Sequence, residues 1–190
     1  MDRRTIIKQI SILTGAAFVG GEIFIQSGCK SEISDNALSI LSAEQITLLD
    51  EIGETIIPQT DTTGAREIGI GAFMHKMVLD CYNNDQQKSF LSGIETIKNE
   101  FQKKYSTSFE KGTNAQREEF LNELNVSMME YNNNKKDEDP DHYFTMIKQL
   151  TILGYFTSET GATKALRYEA VPGNYDGAYP YKKGDKAWAT

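Results

Sequence analysis

Cysteine, histidine and proline are scarce in this chain, and each scarcity removes an explanation. Two cysteines, Cys29 and Cys81, cannot build a disulfide framework. A single Cys29–Cys81 bridge would require that Cys29 be neither cleaved nor acylated. A zinc site needs three or four Cys, His or carboxylate ligands at workable spacing. Only His75, His142 and Cys81 offer nitrogen or sulfur in the body of the chain, and they are far apart. No C-x-x-C-H occurs, so covalent c-type haem is excluded. Four prolines, with glycine thin through the middle, suit a helical body better than a sandwich of short strands. Basic charge is in deficit: 20 Lys and Arg stand against 27 Asp and Glu, a net charge of -7. No basic stripe follows the N-terminal segment, which argues against nucleic acid as a partner. A strongly apolar run of about 20 residues, as a spanning helix wants, is lacking too.

What is present begins with "MDRRTIIKQISILTG". Arg3 and Arg4, a spacer, two isoleucines and Lys8 resemble the twin-arginine export pattern. The stretch from Ile10 to Ile25 is weakly hydrophobic, diluted by Gly15, Gly20, Gly21 and Glu22. A charge such as Glu22 near a bilayer centre would cost about 2.5–3.5 kcal/mol. The competing readings are an uncleaved anchor and an ordinary secretory signal. Gln26-Ser27-Gly28-Cys29 then has the form of a lipoprotein processing site, with Cys29 as the lipidated residue; the alternative is a chance cysteine at the end of a signal. The expected organisation is a signal over 1–29, a polar tether over 30–41, and one domain over 42–190. The expected location is exported: periplasmic, or held to the membrane by the lipid.

The domain reads as all-α, a single bundle of about five amphipathic helices with an irregular aromatic C-terminal arm. In "LSAEQITLLDEIGETIIP", Ser42 and Gln45 form a capping box, Leu41 can staple to Ile46, and Pro58 ends the run. Ile46, Leu49, Ile52 and Ile56 share a face. A second helix carries Ile70, Phe73, Met74, Met77, Val78 and Cys81 on one stripe, where Cys81 reads as a small buried hydrophobe. A third carries Phe90, Ile94, Ile97, Phe101 and Tyr105. Thr113 and Gln116 box the start of a fourth, whose Phe120, Leu121, Leu124 and Met128 face inward. "EYNNNKKDEDPD" reads as a loop, and Asp139-Pro140 as the start of a fifth helix. That helix, "YFTMIKQLTILGYF", has one charge, Lys148, so it is either central or partly covered by another chain. Residues 158–166 suit a short helical turn. Residues 171–190 combine Gly and Pro with Tyr175, Tyr179, Tyr181 and Trp188. They are too aromatic for a disordered tail and should lie as an ordered arm, either on their own bundle or on a partner.

Catalytic signatures fail one by one. "GIGAFM" lacks the third glycine and the preceding strand of a dinucleotide loop. "DEDPDH" lacks the alternating ligands, central Gly and terminal Glu of a calcium loop and reads as a solvated helix start. No Ser or Cys sits in a nucleophile elbow. Distant carboxylates can still meet in a fold, but nothing in the sequence points to such a pair.

Three stretches carry a family likeness: "LLDEIGETIIPQTDTTGAREIGIGAFM", "LTILGYFTSETGATKALRYEAVPGNYDG" and "KKGDKAWA". Together with the export signal they resemble subunit 3, the small or gamma subunit, of gluconate 2-dehydrogenase. One departure is Thr63, where similar sequences often carry Pro. The resemblance implies a partner: a large flavin-containing oxidoreductase of the glucose–methanol–choline type, which oxidises a sugar or polyol and passes electrons onward, often to a cytochrome c. It implies FAD in that partner and no cofactor in this chain. It carries over no catalytic residues. The implied role is to aid export, maturation and membrane attachment of the large subunit. By composition and position, Tyr155, Phe156, Tyr175, Tyr179, Tyr181 and Trp188 are the expected contact residues. The alternative is a free-standing helical lipoprotein that binds a small ligand or a protein; a hydrolase with scattered acids ranks third.

Overall fold

The computed structural model describes residues 40–136, 139–171 and 173–189. Arg3, Arg4, Cys29 and most of the tether therefore lie outside the described residues. Helix α1, Ala43–Ile56, starts where the sequence signals it. The Gln45 backbone N–H donates to Ser42 Oγ (3.2 Å) and the Ser42 N–H to Gln45 Oε1 (2.9 Å), so two orphan donors are satisfied reciprocally. Helices α2 (Ile70–Cys81) and α3 (Asn84–Tyr105) follow. Asn83 caps α3 through a second reciprocal pair with Gln86. A short 3₁₀ turn at Phe109–Lys111 leads to α4, Asn114–Asn134, whose Thr113–Gln116 box is also formed.

Helix α5, Tyr143–Thr157, packs against all four other helices and is the centre of the bundle. Its inner face holds Phe144, Ile147, Leu150, Thr151 and Tyr155. Around it lie Leu49 and Ile52 of α1, Ile70, Met74 and Val78 of α2, and Phe90, Ile94, Ile97 and Phe101 of α3, each fully buried. Each such side chain removed from water contributes about 1.5–3 kcal/mol against chain entropy. Phe101 anchors an aromatic cluster, meeting Phe109 at 4.9 Å and Phe120 at 5.3 Å in edge-on geometry. The all-α bundle of five helices is thus the observed fold. A π-turn at Gly161–Ala165 and two two-residue strands, β1 (Arg167–Tyr168) and β2 (Trp188–Ala189), complete it.

Two local expectations are corrected. The polar stretch from Glu130 does not open as a loop, since α4 continues to Asn134. Nor does Asp139-Pro140 start α5. The cap is His142, whose Nδ1 accepts from the Phe144 N–H (3.2 Å) while its ring stacks on Tyr143. Asp139 is engaged elsewhere, accepting from the Lys136 N–H, and the Pro140 carbonyl accepts from the Tyr131 hydroxyl. These turn contacts hold the DP dipeptide outside the helix, which begins three residues later. Cys81 is also corrected: it is exposed, not buried. It is the last residue of α2, where the stripe runs past the core. The neighbouring carbonyls of Val78, Leu79 and Tyr82 are taken by the Gln87 amide instead.

Candidate functional site

The family-like stretches meet at one end of the bundle. Glu54, in the last turn of α1, organises the first of them. Its Oε1 accepts from the Gln59 N–H (2.9 Å) and its Oε2 from the Arg66 N–H (3.0 Å), so the chain between winds around one carboxylate. Gly64 passes so close that a Cβ there would lie 2.3 Å from Glu54 Oε2 and 2.7 Å from the Gln59 nitrogen. The "TDTTGA" motif is thereby explained as a structural wrap. Side-chain and backbone groups of the loop satisfy one another.

Further contacts fix this loop and the start of α2 to the bundle. Arg66 reaches Glu51 (2.9 Å), which also binds Arg117 of α4 (2.5 Å); Arg117 in turn donates to the Glu110 carbonyl (2.6 Å). Arg117 and Glu51 are nearly buried, so this pair escapes the solvent screening that makes surface ion pairs weak. Asp50 Oδ1 accepts from the Gly71 N–H (2.7 Å) and so holds the start of α2. Burial pushes the Asp50 carboxyl above its ordinary range, with the Gly71 bond working against that rise. Finally, the Tyr155 hydroxyl donates to the Thr63 carbonyl (2.8 Å), joining the loop to the end of α5. α5 and α2 approach closely because residue 154 is glycine: a Cβ there would lie 2.5 Å from both Ile70 and Phe73.

This end presents an apolar ridge. Ile152, Leu153 and Phe156 on the outer face of α5 are 45, 46 and 39 % exposed. Sequence reasoning anticipated Phe156 but missed Ile152 and Leu153, although the uninterrupted apolar run of α5 was the signal for them. Val126 and Met129 on α4 are exposed as well. Tyr155 corrects an expectation, since at 2 % exposure it belongs to the core and its ring is covered by its own chain.

The C-terminal arm leaves the bundle and closes on its own base. β1 and β2 pair in parallel, Arg167 opposite Trp188, through bonds from Arg167 N–H to the Ala187 carbonyl (2.8 Å) and from Glu169 N–H to the Ala189 carbonyl (3.0 Å). A parallel pair needs a long crossover, here residues 169–187. The Arg167 guanidinium lies 4.6 Å from the Trp188 ring and 6.0 Å from the Tyr179 ring, which meet each other edge-on at 5.3 Å. Lys186 donates to the Lys164 carbonyl at the same base. The bundle does not cover the arm. Tyr175 is 96 % exposed and Tyr181 75 %, and Tyr179 and Trp188 are about half exposed. Arg167 was not anticipated, because the cage joins residues far apart in the chain.

Among the described residues no three His, Cys, Asp or Glu side chains form a group that could hold a metal ion, and no helix is long and apolar enough to cross a membrane. A surface concavity of about 290 Å³ lies between the wrapped loop and the chain after α5, lined by Thr63, Glu67, Ile68, Ser158, Glu159, Thr160 and Lys164. Neither curated proteins nor solved structures give a match to this chain. The family model for gluconate 2-dehydrogenase subunit 3 matches residues 43–173, which takes in the wrapped loop, α5 and the π-turn and leaves "KKGDKAWA" outside. With well over half its length matched, the chain belongs to the gluconate 2-dehydrogenase subunit 3 family.

Proposed function

We propose that this chain is the accessory subunit of a flavin-dependent sugar or polyol dehydrogenase, and that it works by surface burial without bond-making of its own. The observation that carries the reading is the ridge of Ile152, Leu153 and Phe156, exposed on the central helix of a bundle that belongs to a dehydrogenase-subunit family. Exposed apolar side chains grouped on one helix face mark a contact surface. A stable complex of this kind buries about 1,200–2,000 Å².

The N-terminal segment gives the role its logic. A flavin is loaded into a folded protein. A folded flavoprotein cannot thread through a translocase that takes unfolded chains. If the large subunit has no signal of its own, it crosses bound to a small subunit that has one, and Arg3 and Arg4 serve the partner. Cys29, acylated, would then hold the complex at the membrane, where a cytochrome c can receive its electrons.

Affinity purification of the full chain from membranes, followed by a flavin absorption spectrum, tests this. A co-purifying flavoprotein is expected, and the Leu153→Ser/Phe156→Ser variant should lose it while melting at the wild-type temperature. A chain that purifies as a monomer with no flavoprotein would favour the free-standing binding module instead.

A further inference from the structure

We propose that residues 173–187 are a preorganised docking loop, clamped at its base by Arg167, that presents Tyr175, Tyr181, Lys182 and Lys183 to an acidic patch on the flavin-containing subunit. This rests on the accessory-subunit reading above and names the contact by which that subunit is selected.

The four arm aromatics divide by geometry. Tyr179 and Trp188 are spent on the loop itself, since both pack on Arg167 and on each other. Tyr175 and Tyr181 touch little and are the most exposed of the four. A loop whose ends are pinned by a ladder and a cation–π cage has already lost much of the freedom that binding would otherwise cost. Rigid, amphipathic tyrosines on such a frame are typical interface anchors.

Charge selects the partner. Residues 42–163 carry twenty acidic and eleven basic side chains, whereas residues 164–189 carry five basic and three acidic. An acidic partner is repelled by the body and drawn only by the arm. Lys182 and Lys183 are exposed and make no ion pair with a described residue, so their charges are free to act at a distance.

The test compares the full chain with Lys182→Glu/Lys183→Glu and with Tyr175→Ser/Tyr181→Ser, each purified from membranes at low and high salt, with flavin absorbance of the captured flavoprotein as readout. All four positions are exposed, and unchanged thermal melting checks that folding is intact. Both variants should retain at least about tenfold less flavin than the wild type, and high salt should weaken the wild type toward the lysine variant. If the wild type captures the flavoprotein and both variants hold it equally well, the docking loop is wrong and the accessory reading stands. If the wild type captures none, both fall. If flavin capture is unchanged while the lysine variant alone loses binding to phosphatidylglycerol vesicles, the loop meets lipid and the proposal is overturned.

Discussion

At the residue scale, this protein puts charged and hydroxyl groups to structural use. Glu54, Glu51 and Asp50 all lie in the second half of α1: Glu54 holds the wrapped loop, Glu51 ties that loop's Arg66 to Arg117 of α4, and Asp50 holds the start of α2. Tyr155 shows how burial and bonding combine. Its ring fills the core and its hydroxyl satisfies the Thr63 carbonyl. Tyr155→Phe should cost about 1 kcal/mol, the net worth of one hydrogen bond, and Tyr155→Ala about 3–5 kcal/mol through the cavity left behind. Urea unfolding measures both. A neutral Tyr155→Ala would mean that the ring does not lie in the core. The capping residues were legible in advance because a cap is a local device: Ser42–Gln45 and Thr113–Gln116 act within one turn. The burial of Tyr155 was not legible, since its partner is some ninety positions away and no periodicity reports it.

At the scale of elements, α2 depends on α1 for its first turn. Gly69 caps it with no side-chain oxygen, and Asp50 supplies the missing acceptor to the Gly71 N–H. The sign of the pH effect follows from the raised Asp50 pKa. The folded state binds this proton more readily than the unfolded chain does. Asp50 therefore favours folding more as pH falls through its raised value toward the ordinary aspartate range, and this contribution is lost as pH rises above it. Asp50→Asn keeps an acceptor and removes the charge. It should be at least as stable as the wild type near neutral pH, with the difference closing in acid, whereas Asp50→Ala should lose about 1–2 kcal/mol. Thermal melts across this pH range check the order. Helix stripes explain why the five elements were legible: apolar residues at helical spacing select one face whatever the neighbours are. The start of α5 was misplaced for the opposite reason. Asp and Pro have intrinsic preference for a helix start, but Lys136, Tyr131 and His142 override it through contacts. Cys81 was misjudged because a stripe says which side is apolar and not where the core ends.

At the scale of the whole molecule, an acidic bundle carries an apolar ridge on α5 and a basic, aromatic C-terminal arm. Deleting this chain should leave the partner flavoprotein in the cytoplasm, with dehydrogenase activity missing outside; cell fractionation with a flavin assay checks it. Normal appearance of that activity outside would count against the export role. Restoring the chain with Arg3→Lys/Arg4→Lys should fail to rescue export, because the pair is the address on which the reading depends.

The amino-acid sequence by itself determined the helical class, the number of helices, most of the inward faces, two of the caps and the family likeness, because all of these are written in short-range pattern. Only the tertiary structure decided that the wrapped loop is held by one carboxylate, that Tyr155 is core while Ile152 and Leu153 are surface, and that Arg167 cages Tyr179 and Trp188 at the base of the arm. Those outcomes depend on which distant side chains meet and which faces remain uncovered once α5 has taken its place among four neighbours. Spacing along the chain holds no record of either.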